Sequence, residues 1–172
     1  MILQSRDRDI LRKCYEQQFL LMEHVSRYYY QAKSMRESYR RVQELEAAGL
    51  IRREEIPVLG GKKLIRLTKL GVATAQENRT TEVPQGKRLD LTTLSHDSMV
   101  THVRLRLEQL WDGEWFPERF LMQLPKLTQV ADGLFRFPNG NHVAIELENS
   151  AKGHERFKTI LSNHARQQCV LV

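Results

Sequence analysis

Ile10, Leu11, Cys14 and Tyr15 fall on one stripe of a 3.6-residue period, which predicts an amphipathic helix over about residues 6–17, N-capped by Ser5. Phe19 and Leu20 begin a second apolar patch, and Leu21, Met22, Val25 and Tyr29 continue it on a helix of about two turns. The polar stretch QAKSM interrupts the pattern. Ser34 then stands where a third helix would be capped, with Glu37 at the capping-box position. Tyr39, Val42 and Leu45 give that helix an inward face, and Gly49 supplies the left-handed residue that ends it. From Leu50 the period shortens. Two β-like runs flank Gly60-Gly61, a hairpin pattern, and KLGVATAQ predicts a fourth helix.

Three helices, a hairpin and a helix within residues 1–77 are the order of a winged helix-turn-helix domain. Residues 78–94 are polar, contain Pro84 and Gly86, and mark a linker. In residues 95–172 the apolar pattern predicts a helix capped by Ser95 with a stripe of Met99, Val103, Leu107 and Leu110. DGEWF follows as a turn and ERFLMQL as a strand. TQVADGLFRF and HVAIELEN are two more strands, joined by the hairpin signal PNGN. A helix over AKGHERFKTILSNHARQ and a closing strand at CVLV complete a small α/β domain, so the expected fold class is α+β.

Charge sharpens the picture. Of the net +6, residues 1–77 carry 15 Lys/Arg against 10 Asp/Glu, while residues 78–172 carry 12 against 11. A basic first half points to a polyanionic partner. Arg36 and Arg40 share a face of the third helix, with Arg41 beside it and Gln43 close to it, opposite Val42 and Leu45. Arg can fork onto guanine O6/N7 and Gln can pair with adenine, so these four would read or hold double-stranded DNA; the competing expectation is that Arg36 and Arg40 are solvated, with Arg40 paired to Glu37 or Glu44. Lys62 and Lys63 lie at the hairpin tip, where a wing meets phosphates, and Arg52, Arg53 and Arg66 add charge to the hairpin. SRYYYQAK interleaves aromatics with cations that include Lys33, although Tyr28, Tyr29 and Tyr30 also suit core and turn packing.

Glu146 and Glu148 alternate with Ile145 and Leu147, so on a strand both carboxylates share a face. Asp132 belongs to the partner strand of the PNGN hairpin. Three converging carboxylates would need a cation, Mg²⁺ or Mn²⁺, which could activate water against a phosphodiester, with Lys152 assisting and Glu118 a further acid. The competing expectation is an exposed strand face with unrelated acids. His96 and His102, six apart, do not form the i, i+4 pair that binds a metal on a helix. Cys14 and Cys169 sit in apolar contexts and suit buried thiols in a reducing compartment. No run approaches the roughly 20 apolar residues that span a bilayer, so a cytoplasmic protein with no membrane partner is expected.

RDRDILRKCYEQQFL, RRVQELEAAGLIRR, LTKLGVATA, LSHDSMVTHVRLRLE, ADGLF and AIELENSAKGHERFKTIL, taken in order from about residue 6 to 165, resemble the replication-relaxation family of bacterial plasmids and mobile elements. The resemblance implies a winged-helix DNA-binding domain followed by one similar to the PD-(D/E)XK nuclease fold, with a role in replication, mobilisation or transcriptional control. Binding DNA would need no cofactor, and a homodimer is expected. In the nuclease pattern Asp132 takes the place of the first acid and Glu146 of the second. Ala131 replaces the motif's proline and Glu148 its lysine, so either a metal-dependent endonuclease or a fold kept for binding is implied. That fold usually continues past CVLV, so the resemblance also implies a truncated second domain.

Overall fold

A computed structural model of the chain describes residues 1–30, 35–77, 89–125, 127, 129–148, 154–166 and 170–171. The fold is mixed α+β, and the chain divides into two compact units, Met1–Thr101 and His102–Val172.

The first unit opens with helix α1, Ser5–Gln17. Ser5 is its first residue, not its cap. The Asp7 carboxylate accepts the Gln4 backbone N–H at 2.8 Å while the Asp7 N–H donates to the Gln4 carbonyl at 3.0 Å, so the helix starts one residue early. Ile10, Leu11, Cys14 and Tyr15 are buried, as their spacing predicts. Gln18, at φ 70°, turns the chain into β1, Leu20–Leu21, a two-residue strand that hydropathy does not reveal. Helix α2, Met22–Tyr29, follows, its start closed by His24 Nδ1 accepting the Leu21 N–H at 3.2 Å.

Helix α3, Met35–Ala47, buries Ser38, Val42 and Leu45; the expected cap at Ser34 lies outside the described residues. Gly49 at φ +71° ends it. Strands β2, Ile51–Ile56, and β3, Lys62–Leu67, form the hairpin, joined by a 3₁₀ turn and by Gly60 and Gly61 in left-handed conformation. Their register runs from Ile51↔Leu67 to Ile56↔Lys62. β1 pairs on the other side of β3, so the sheet order is β1-β3-β2 and β2 is an outer strand. Thr68 caps helix α4, Lys69–Gln76, by accepting the Gly71 N–H at 3.1 Å. Only a glycine fits at 71, since a Cβ there would stand 1.9 Å from the Leu50 carbonyl oxygen. Phe19, Leu21, Leu64 and Leu94 form a shared apolar cluster.

Helix α5, Leu94–Leu110, contains the division between the units. It begins one residue before Ser95, so Ser95 is not its cap, and its buried stripe is not the predicted one. Leu94, Val100, Thr101, Arg104 and Leu105 are buried, whereas Met99 and Leu110 are 46% and 58% exposed. The buried side includes a guanidinium, which a hydrophobic count passes over. Arg104 Nε donates to Glu108 at 3.1 Å, and its guanidinium carbon lies 5.8 Å from the Trp115 ring centroid.

In the second unit, β4 is Glu114–Pro117, so most of the predicted DGEWF turn is strand. Helix α6, Glu118–Leu121, stands where ERFLMQL was expected to be a strand. Pro117 sets its entry, and Phe120 of the helix packs back on Phe116 of β4 with centroids 5.3 Å apart. β5, Gly133–Arg136, and β6, His142–Ile145, form the expected hairpin, with Gly133↔Ile145 and Arg136↔His142 in register. Helix α7, His154–Arg166, connects β6 to β7, Val170–Leu171, which pairs parallel to it. The sheet order is β4-β5-β6-β7. Among the described residues no helix is long and apolar enough to cross a membrane.

Candidate nucleic-acid interface

The outward face of α3 carries Arg36, Arg40 and Gln43, all exposed, while Val42 and Leu45 on the opposite face are buried. The helix therefore turns its cations to solvent, as the 3.6-residue period dictates. Tyr39 is half-buried at the edge of this face, with Lys63 Nζ 5.9 Å from its ring centroid, so the start of β3 reaches back to the helix. Lys62 and Lys63 are exposed just beyond the glycine turn.

Most cations near this surface have a carboxylate partner. Lys62 Nζ lies 2.9 Å from Glu23, whose carboxyl the ammonium holds below its ordinary range. Arg40 Nη1 donates to Glu44 at 2.7 Å. Arg53 clasps Glu46 through its backbone N–H at 2.9 Å and its Nε at 2.8 Å. Arg52 pairs with Glu54 at 2.7 Å, and Arg66 approaches the same carboxylate at 3.9 Å.

Arg41 differs from its neighbours. Its side chain is only 13% exposed and its guanidinium binds the fully buried carboxylate of Asp7, with Nε 3.0 Å from Oδ1 and Nη2 on Oδ2. It also donates to the Ile2 carbonyl at 3.1 Å and to Glu44 at 2.6 Å. Burial alone would raise the Asp7 carboxyl, but the hydrogen bonds from Arg41 and from the Gln4 N–H outweigh it and leave the carboxyl below its ordinary range. Arg41 therefore ties α3 to the start of α1, and it is not among the exposed cations of α3. Tyr29 and Tyr30 also make contacts within the unit. Tyr29 donates to Asp9 at 2.7 Å, and Tyr30 is buried with the Arg6 guanidinium 4.1 Å from its ring centroid. Lys33 lies outside the described residues.

The acidic residues of the second unit are placed differently from the strand-face expectation. β6 ends at Ile145, so Glu146 and Glu148 follow the strand and the alternation that would align them does not apply. Beyond that point the Asp132 side chain, fifteen residues back in the chain, accepts the Leu147 N–H at 2.7 Å in place of a ladder partner. Asp132 immediately precedes β5 and Glu146 immediately follows β6, so the two are neighbours at adjoining strand ends. Glu146 Oε1 is 2.7 Å from Nε2 of the buried His164 and 3.4 Å from Gln129 Nε2. Glu148 is exposed, Glu118 begins α6, and Lys152 lies outside the described residues. Among the described residues no group of three or more His, Cys, Asp or Glu side chains is placed to hold a metal ion.

Two relationships escape sequence reasoning: Asp7 with Arg41, and Glu146 with His164. Partners 34 and 18 positions apart leave no periodic signal. No family model matches the chain, and neither does any curated protein or solved structure.

Proposed function

We propose that the first unit is a winged helix-turn-helix module that binds double-stranded DNA. In this reading it acts in replication, mobilisation or transcriptional control of a bacterial plasmid or mobile element, as the replication-relaxation resemblance implies. The observation that carries the reading is the solvent face of α3, where Arg36, Arg40 and Gln43 stand together ahead of a glycine-tipped hairpin. In such a module the helix face enters the major groove and the wing lies along phosphates. Arg36, Arg40 and Gln43 would meet base edges, and Lys63 and Lys62 the backbone. A homodimer would place two such helices on two half-sites.

The test is a titration of labelled duplex at several salt concentrations. Arg36→Ala and Arg40→Ala should each cost about 1–3 kcal/mol of binding, and Lys63→Gln should lower the salt slope by about 1. Unchanged affinity in the Arg36→Ala, Arg40→Ala double variant overturns the reading.

A second reading, a Mg²⁺- or Mn²⁺-dependent DNA endonuclease of the PD-(D/E)XK type, draws support from the adjacency of Asp132 and Glu146 at the ends of β5 and β6. It is the weaker one, because both carboxylates already accept hydrogen bonds within the protein. Metal-dependent cleavage abolished by Asp132→Asn would establish it.

A further inference from the structure

Four charged groups form an unbroken line from the interior of the first unit to the exposed face of α3. Asp7 is fully buried, and the Arg41 guanidinium grips both its oxygens. The remaining arm of Arg41, Nη1, lies 2.6 Å from Glu44 Oε2. The other oxygen of Glu44, Oε1, accepts Arg40 Nη1 at 2.7 Å. Arg40 itself is 69% exposed along its side chain.

An isolated Arg–Glu pair four residues apart on a helix surface contributes little and does not fix a long side chain. The Arg40–Glu44 pair is not isolated. Arg41 is held through Nε, Nη1 and Nη2 by Asp7, Ile2 and Glu44, so its fork has a single orientation and sets the plane of the Glu44 carboxylate. Glu44 in turn sets where the Arg40 guanidinium rests. Its negative charge has a second effect, since it opposes any phosphate that would draw Arg40 away.

We infer that Glu44 is a positioning residue for sequence recognition: it preorganises Arg40 for a base edge and disfavours unspecific phosphate binding by the same side chain. The inference rests on the DNA-binding reading and goes beyond it, because it assigns discrimination between sequences to an acidic residue with no attraction for DNA. Preorganisation lowers the ordering cost at the correct site, and a like-charge element penalises the wrong ones.

The experiment starts from a random-sequence duplex library enriched on the wild-type chain. The enriched duplex and a scrambled duplex of equal length are then titrated by fluorescence anisotropy at matched salt. Wild type, Glu44→Gln, Arg40→Gln and the double variant are compared, with thermal melts alongside. Glu44→Gln should bind the scrambled duplex more tightly and reduce the enriched-to-scrambled ratio roughly tenfold. Base preference should flatten at the same position that Arg40→Gln flattens, and the double variant should lose little more than either single one. Equal tightening on both duplexes would make Glu44 a mere charge and overturn the inference. Equal weakening on both with a lowered melting temperature would make it a structural residue and overturn it too, as would wild-type binding with no sequence preference. A wild-type chain that holds no duplex at all would instead end the DNA-binding reading itself.

Discussion

The Trp115 ring occupies the space that a side chain on Gly133 would need. A Cβ at position 133 would stand 1.9 Å from Trp115 Cζ2 and 2.3 Å from Cη2. Trp115 pairs with Phe135 across the β4–β5 ladder, and Gly133 pairs with Pro117, so the indole crosses the ladder diagonally onto the glycine. Gly133→Ala should therefore force the ring aside and cost about 1–3 kcal/mol by overpacking. Urea unfolding followed by tryptophan fluorescence would measure it, with Gly140→Ala as a comparison. Position 140 has open space around it but a φ of +85°, so that loss comes from backbone strain alone and leaves the Trp115 signal of the folded state unchanged.

Asp132 should behave as a hydrogen-bond acceptor in folding. Asp132→Asn keeps an oxygen for the Leu147 N–H and should change stability little. Asp132→Ala leaves that half-buried donor without its acceptor and should cost about 1–3 kcal/mol. The contrast is read from denaturant midpoints. Equal losses in both variants would mean that the charge is what counts.

Acid should loosen the first unit. Asp7 is held below its unfolded value of 3.8, because the bonds from Arg41 and Gln4 outweigh the opposing effect of burial. A carboxyl lowered in this way contributes stability above its unfolded pKa, and that contribution is lost as pH falls through the folded value. Glu23, Glu44 and Glu46, each lowered by a cation beside it, act in the same direction, whereas Asp97, raised by burial, acts in the opposite one. Asp7→Asn should thus be less stable at pH 7 and lose less on acidification from pH 5 to pH 2. Thermal melts of both proteins across that range would show it.

Cys14 should be inert while the chain is folded. Its thiol is buried, donates a hydrogen bond to the Ile65 carbonyl oxygen at 3.3 Å, and has its pKa pushed up to about 12 by burial. In a Cys169→Ser background, a thiol reagent at pH 8 should react only after denaturant is added. Fast labelling of the native protein would mean that α1 separates readily from the sheet.

Much of the first unit is written in local pattern. The buried sides of α1 and α3, the hairpin at Gly60-Gly61 and the start of α4 follow from period and turn chemistry, which need only neighbouring residues. The PNGN hairpin is legible for the same reason. What local pattern misses depends on distant partners. β1 is two residues long and exists because β3 offers it a ladder. α5 turns its Arg104 side inward because Glu108 and Trp115 receive the guanidinium. β6 stops at Ile145 because the Asp132 side chain captures the next free N–H. Among the candidate interface residues, the exposure of Arg36, Arg40 and Gln43 was readable from the helix period. The inward commitment of Arg41 was not, since its partner Asp7 looks in sequence like one more charge in RDRD.

β2, one of the two outer strands of the first sheet, carries Arg52, Arg53, Glu54 and Glu55 in succession. A strand margin with open backbone groups is a template for accretion; here the Arg53 N–H is already taken by Glu46, and ionic bulk along the rest is a common deterrent. Chains gathered at high local density should therefore meet along this margin as mutually hydrated, ion-studded ribbons that do not zip into continuous β-structure.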